Sequence, residues 1–119
     1  MIDLSAATEA VVRKHLQAFL EQKGMAAILS DYDDNARFYT ETKIYHGKHE
    51  IQLFFTDFVA SLPAGAIDRF ALRSMQVDGN IALITWNVGN DIPLGTDSMV
   101  VDNGRIVAQT FVMYAAATQ

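Results

Sequence analysis

Asp97 is a lone carboxylate opening the apolar stretch Met99-Val100-Val101, and an Asn103-Gly104 turn then leads into a second apolar run containing Gln109 and Phe111. An unpaired carboxylate in a core costs several kcal/mol, as an order of magnitude, or shifts its pKa until it stays protonated. Asp97 is therefore either solvated at a rim or placed for acid–base chemistry. His15 is the second residue of this kind. It falls on the apolar seam of a helical stretch, one turn from both Val11 and Phe19, so its imidazole is expected to face the interior. An imidazole there is either a proton carrier or a core histidine satisfied by one hydrogen bond.

Gln109 depends on the hairpin register. A two-residue turn at Asn103-Gly104 pairs Asp102 with Arg105 and sets Asp97 opposite Thr110. A type I turn with Gly104 as a bulge instead pairs Val101 with Arg105 and sets Asp97 opposite Gln109. The second register is preferred, because it gathers Asp97, Met99, Gln109, Phe111 and Met113 on one face and gives the carboxylate an amide partner. The same residues also suit an ordinary core or a dimer interface.

The other polar clusters have plainer readings. His46 and His49 flank Gly47-Lys48 with neither cysteine nor an organised carboxylate beside them, so they are expected in solvent and no metal site is expected. Asp31, Asp33 and Asp34 lack the glycine and closing glutamate of a cation loop and read as capping and turn residues. Asp91 and Arg105 are expected to be exposed at turns.

The elements that must carry these residues follow from periodicity. Val11, Val12, Leu16, Phe19 and Leu20 give an amphipathic helix over Ala7–Gln22, stopped by Gly24. A short helical pattern from Met25 to Tyr32 runs into an acidic turn, Asp31 to Asn35, before two short strands, Ala36–Glu41 and Thr42–His46. Ile51, Phe54, Phe55, Phe58, Val59 and Leu62 define a third helix ended by Pro63. Strands are expected over Ile67–Val77, Ile81–Gly89, Gly95–Val101 and Ile106–Tyr114, joined by short turns as an antiparallel meander. Helices followed by a sheet make the class α+β, with the helices on one face of a curved sheet.

The bulk numbers narrow the partners. A chain of 119 residues holds one domain, read as 1–119 without repeat or linker. With 50% hydrophobic and 19% charged residues and a net charge of -5, it is globular and poorly matched to nucleic acid. No run reaches the roughly 18 apolar residues of a membrane span, and Met1-Ile2-Asp3 lacks the basic start of a signal peptide, so a cytoplasmic location is expected. The absence of cysteine leaves carboxylates, histidines, hydroxyls and amides for any chemistry.

Several strings, in order, resemble the nuclear transport factor 2-like superfamily, which includes SnoaL-like polyketide cyclases and ketosteroid isomerases. They are Val11-Val12-Arg13-Lys14-His15-Leu16-Gln17-Ala18-Phe19, Tyr32-Asp33-Asp34-Asn35-Ala36, Tyr45-His46-Gly47-Lys48, and Gly95-Thr96-Asp97 with Asp102-Asn103-Gly104-Arg105-Ile106. The resemblance implies a cone-shaped barrel of three helices on a strongly curved, mainly antiparallel sheet. It also implies a pocket walled by Phe19, Tyr32, Tyr39, Phe54, Phe58, Trp86, Met99, Gln109 and Phe111, although aromatics at such spacing are more often simply core. Asp97 matches the acid that ketosteroid isomerases keep protonated, an enzyme that serves as a standard example of this effect. His15 stands at the position of their oxyanion tyrosine and Thr40 at that of their general base, so their mechanism is not implied here. His15 and Asp97 would then meet as a general acid and base acting on a small apolar molecule, in an isomerase, cyclase or dehydratase type of reaction without a cofactor. The competing reading is a noncatalytic homodimer with a vestigial pocket. The resemblance implies pairing through the outer sheet face in either case.

Overall fold

The computed structural model describes residues 3–115; the Met1-Ile2 start read above lies outside them. Helix α1 spans Leu4–Leu20 and begins three residues earlier than its apolar pattern, because the Asp3 side chain accepts the Ala6 N–H at 3.3 Å and caps it. Its start is fastened to the sheet: Thr8 Oγ1 donates to the Gly79 carbonyl at 2.8 Å, and Gly79 N–H donates to Ser5 Oγ at 2.9 Å. Helix α2 is a single turn, Met25–Leu29. Helix α3 runs Gly47–Ser61, its start closed by Glu50 accepting the His46 N–H at 2.8 Å, and Leu62-Pro63 ends it.

Six strands follow the chain as β1 (Tyr32–Tyr39), β2 (Ile44–His46), β3 (Phe70–Asp78), β4 (Ile81–Val88), β5 (Ile92–Asp102) and β6 (Arg105–Tyr114). Their order in the sheet is β2-β1-β6-β5-β4-β3, with β1 parallel to β6 and every other pair antiparallel. The architecture is α+β, three helices on a curved mixed sheet, and the sheet stays open, with β2 and β3 as its edges. Ile67–Arg69, expected as strand, is one turn of 3₁₀ helix ahead of β3. Strand β5 starts at Ile92, so Pro93 lies inside it, beside the irregularity between Trp86 and Val88 where a ladder N–H can be spared.

Two irregularities set the site. Of the expected acidic turn Asp31–Asn35 only Asp31 is a turn residue; Tyr32–Asn35 begin β1, whose register against β6 slips between Tyr32 and Arg37. That bulge absorbs the polar residues Asp33, Asp34 and Asn35 while returning Tyr32, Ala36 and Phe38 to the core. In the β5–β6 hairpin, Asn103 and Gly104 both adopt positive φ, 54° and 77°, as a two-residue turn of the primed kind demands, and Asp102 pairs with Arg105. The ladder then slips by one residue: Val101 faces Ile106 while Val100 faces Ala108. Neither simple register holds. Asp97 stands opposite Phe111, and Met99 opposite Gln109, yet Asp97, Met99, Gln109 and Phe111 all lie buried on the inner face because the slip restores the alternation.

Candidate functional site

His15 reaches the sheet from the buried stripe of α1, formed by Thr8, Val12, His15 and Ala18. Its carboxylate partner is Asp31, at the foot of β1, and not Asp97. Asp31 Oδ2 lies 3.1 Å from His15 Nδ1, and Asp31 Oδ1 accepts a 2.7 Å bond from Lys14 Nζ. The chain places Asp31 firmly, since its carbonyl accepts the Ile106 N–H at 2.8 Å and so joins α2, β1 and β6. Burial alone pushes the Asp31 carboxyl up, but hydrogen bonds and charges from His15 and Lys14 outweigh it and hold the group below its ordinary range. A carboxylate only accepts, so His15 Nδ1 carries a proton and Nε2 turns toward Tyr32 Oη at 3.3 Å.

Asp97 sits deeper in the sheet. Its Oδ1 accepts a 2.7 Å bond from Trp86 Nε1, and its Oδ2 accepts a 2.8 Å bond from Gln109 Nε2. Gln109 Oε1 in turn accepts the Tyr32 hydroxyl at 2.6 Å. Gly95 makes this geometry possible: a Cβ there would come within 2.2 Å of the Trp86 ring, which lies across Gly95 on the neighbouring strand. Burial raises Asp97 to about 6, against the opposing hydrogen bonds from Trp86 and Gln109 and the charge of His15. Burial, with Asp97 and Asp31 nearby, also lifts the Tyr32 phenol well above its ordinary range. Lys14, Asp31, His15, Tyr32, Gln109, Asp97 and Trp86 thus form one continuous polar chain. No buried side-chain nitrogen or oxygen among the described residues lacks a partner.

The chain borders a cavity. His15, Leu16 and Phe19 contribute from α1, Phe55 and Phe58 from α3, and Ile84, Trp86, Val88, Asp97, Met99, Gln109 and Phe111 from the sheet. Leu62, Ala66, Ile67 and Phe70, from the connection between α3 and β3, complete the lining. The cavity volume is about 60 Å³. That holds a few waters or a molecule of a few heavy atoms, well below the roughly 300–1,000 Å³ of drug-sized sites. His15, Asp97 and Gln109 are its polar walls, and Asp97 is its one carboxylate.

Of the residues singled out in the sequence, His15, Phe19, Phe58, Trp86, Asp97, Met99, Gln109 and Phe111 meet at this cavity. Tyr32 lies behind the wall, fully buried, bonded to two of the lining residues. Tyr39 is a correction: it pairs with Thr110 on the opposite face of the sheet, because Phe38 takes the inward position beside Gln109. Phe54 is another, since it packs against Phe38 and Phe111 beside the cavity, and Phe55, one position on, supplies the lining. Thr40 lies in the β1–β2 turn, where its Oγ1 donates to the Lys43 carbonyl at 2.9 Å. Asp31 went unseen in the sequence because Asp–Asn strings ordinarily mark turns. The available signal was Lys14-His15 preceding it on the inward stripe of a helix. His46 and His49 are exposed, and no group of three or more His, Asp or Glu side chains among the described residues could hold a metal ion.

No protein-family model and no curated protein matches the sequence. Solved structures do match, and they show that the chain has the nuclear transport factor 2-like fold. An NTF-2 like protein of unknown function from Burkholderia xenovorans LB400 superposes with a TM-score of 0.77 at 20% identity, over 98% of this chain and 89% of that one. A proposed ketosteroid isomerase from Kribbella flavida DSM 17836 superposes with a TM-score of 0.70 at 16% identity, over 97% and 83%. A de novo designed protein with a curved β-sheet gives 0.74 at 18% identity, over 92% and 86%. One fold therefore spans a proposed enzyme and a designed scaffold, so function has to be argued from the site.

Proposed function

We propose that this protein binds a small molecule carrying a carbonyl or hydroxyl group and moves a proton on it, in an isomerase, cyclase or dehydratase type of reaction. The observation that carries this reading is Asp97: a carboxyl raised to about 6 by burial, facing a cavity whose other walls are almost wholly apolar. A carboxylate there is a stronger base than in water and is close in affinity to the protons it would exchange near neutral pH. His15 supplies the compensating charge, and Asp31, locked by Lys14, orients its ring. The apolar walls would hold the substrate's carbon skeleton while Gln109, which presents an amide to the same space, fixes its oxygen. The cavity volume favours substrates of a few heavy atoms over polycyclic ones.

The test is hydrogen–deuterium exchange on a panel of small ketones and hydroxy ketones, followed by NMR. Exchange is expected with the native protein and reduced at least about a hundredfold by Asp97→Asn, the lower end of what one general base contributes. If Asp97 acts as a base, exchange rises with pH through about 6 and levels off; if it acts as an acid, exchange falls through the same range. Equal exchange in the native protein and Asp97→Asn would overturn the reading.

A second reading, a noncatalytic homodimeric module in the cytoplasm, is favoured by two observations: the small cavity and the complete internal satisfaction of the polar chain. The two readings share a pairing surface. On the outer face, Leu83-Ser98-Thr110 and Thr85-Thr96-Val112 form uncharged rows across β4, β5 and β6, with Ile81 and Leu94 exposed beside them. Light scattering is expected to give a dimer that Leu83→Lys with Val112→Lys converts to a monomer. A native monomer would exclude the pairing.

A further inference from the structure

The polar chain between His15 and Asp97 can be read in two directions, and every nitrogen and oxygen along it keeps a hydrogen-bond partner in both. With the Gln109 amide oriented as it stands, Asp97 is anionic. His15 carries protons on both nitrogens, Nε2–H donates to Tyr32 Oη, Tyr32 donates to Gln109 Oε1, and the Gln109 amide donates to Asp97. In the reverse arrangement the proton sits on Asp97 Oδ2 and donates to Gln109 Oε1. The amide, turned over, donates its N–H to Tyr32 Oη, and Tyr32 donates to His15 Nε2. Trp86 Nε1–H continues to donate to Asp97 Oδ1, and His15 Nδ1–H continues to donate to Asp31. The two arrangements differ by one proton moved from His15 to Asp97 and three hydrogen bonds reversed. No net charge appears or disappears in the interior, which is what makes the exchange cheap in a medium of low dielectric.

We infer that His15 and Asp97 share one proton through Tyr32 and Gln109, which makes these two residues a relay between the ends of the site. Tyr32 and Gln109 are positioning residues in this account: Tyr32 lies behind the cavity wall and acts only through its neighbours. The ionisable groups facing the chain are Lys14 and His15 from α1 and Asp31 and Tyr32 at the start of β1. Helix α3 and strands β4 and β6 face it with Phe55, Ile84, Trp86, Gln109 and Phe111, none of which titrates. The sharing itself needs no substrate. Its use in turnover rests on the acid–base reading above. With the shared proton on His15, Asp97 is the free carboxylate that can take a proton from a substrate C–H; with it on Asp97, the carboxyl is the acid that can give one back, and neither form requires water to enter the cavity.

The experiment is an NMR titration of the ligand-free protein that follows the Asp97 carboxyl carbon, the His15 ring nitrogens and the Gln109 side-chain amide together. In the native protein Asp97 and His15 are expected to titrate in two steps with common midpoints, each step visible at both residues and at Gln109. Tyr32→Phe keeps both charges and cuts the relay. There Asp97 and His15 are expected to titrate in one step each, with neither step visible at the other residue. If Tyr32→Phe does not fold, His15→Gln serves, because it retains the hydrogen bonds and removes the second proton site, leaving Asp97 a single step. One-step curves in the native protein, or two-step curves that survive Tyr32→Phe, would overturn the inference. Neither result depends on catalysis, so the ketone exchange can fail while the relay stands, and the reverse.

Discussion

Asp31 and Asp97 are both buried, 2% and 5% exposed, and each takes two hydrogen bonds from neighbouring side chains. Their carboxyls nevertheless move in opposite directions, Asp31 down and Asp97 up to about 6. Burial pushes both upward, more strongly for the deeper Asp97, and the partners differ as well. Asp31 meets an ammonium and an imidazole at the seam of α1 and β1, whereas Asp97 meets an indole and an amide on the inner sheet face, donors without a full charge. Neutral donors therefore do not offset the deeper burial of Asp97, whereas directly bonded cationic partners outweigh the shallower burial of Asp31.

The largest expected effect comes from removing the cationic case. Asp31→Ala leaves His15 and Lys14 without their anion, and breaking a buried pair of this kind costs about 3–5 kcal/mol, measurable by denaturant unfolding at pH 7. The contribution of Asp31 is present above the ordinary carboxylate value of 3.8 and is lost as pH falls below it. Asp97 behaves with the opposite sign. Its folded value lies above its unfolded one, so its stabilising protonation is complete below pH 3.8 and is lost as pH rises through about 6. The difference amounts to roughly 3 kcal/mol, as an order of magnitude. Asp97→Asn is therefore expected to match the native protein near pH 4 and to exceed it in stability at pH 8 by up to that amount; unfolding curves at the two pH values check the sign.

Gly95→Ala sharpens the comparison by removing a donor from Asp97 alone. The added methyl collides with Trp86, costs about 1–3 kcal/mol through overpacking, and raises the Asp97 midpoint further as the indole N–H is displaced. Tryptophan fluorescence and carboxyl NMR report the two parts separately, and the single tryptophan makes the first unambiguous. The smallest effect is expected from Lys14→Met. Its side chain is 66% exposed, so the loss should stay within about 1 kcal/mol and shrink with added salt.

The fold was largely legible in the sequence because it is carried by periodicity. The stripe of Val11, Val12, Leu16 and Phe19 and that of Ile51, Phe55, Phe58 and Leu62 fixed two helices whose faces admit few alternatives. The site was legible only in part, since its decisive features are bulges. A bulge breaks the period-two pattern on which strand reading depends, so Tyr32–Asn35 resembled a turn and hid Asp31. In β6 the clue was present: Ile106 and Gln109 are three residues apart, so a strand burying both needs an extra residue between them. The pairing of His15 with Asp31 lay beyond this reach, because it joins an early helix to a segment whose placement depends on the parallel pairing of β1 with β6.

Strand β3 forms one edge of the open sheet, and Arg73 is the extra residue where its ladder with β4 slips between Leu72 and Ser74. Seen from outside, that irregularity is a guard. A foreign strand adding to this edge would lose registry after three residues and would have to accommodate an exposed guanidinium at the gap. The long edge that leaves the cone open is thereby a poor template for fibril growth. Deleting Arg73 would straighten it and is expected to shorten the lag before aggregation at high protein concentration.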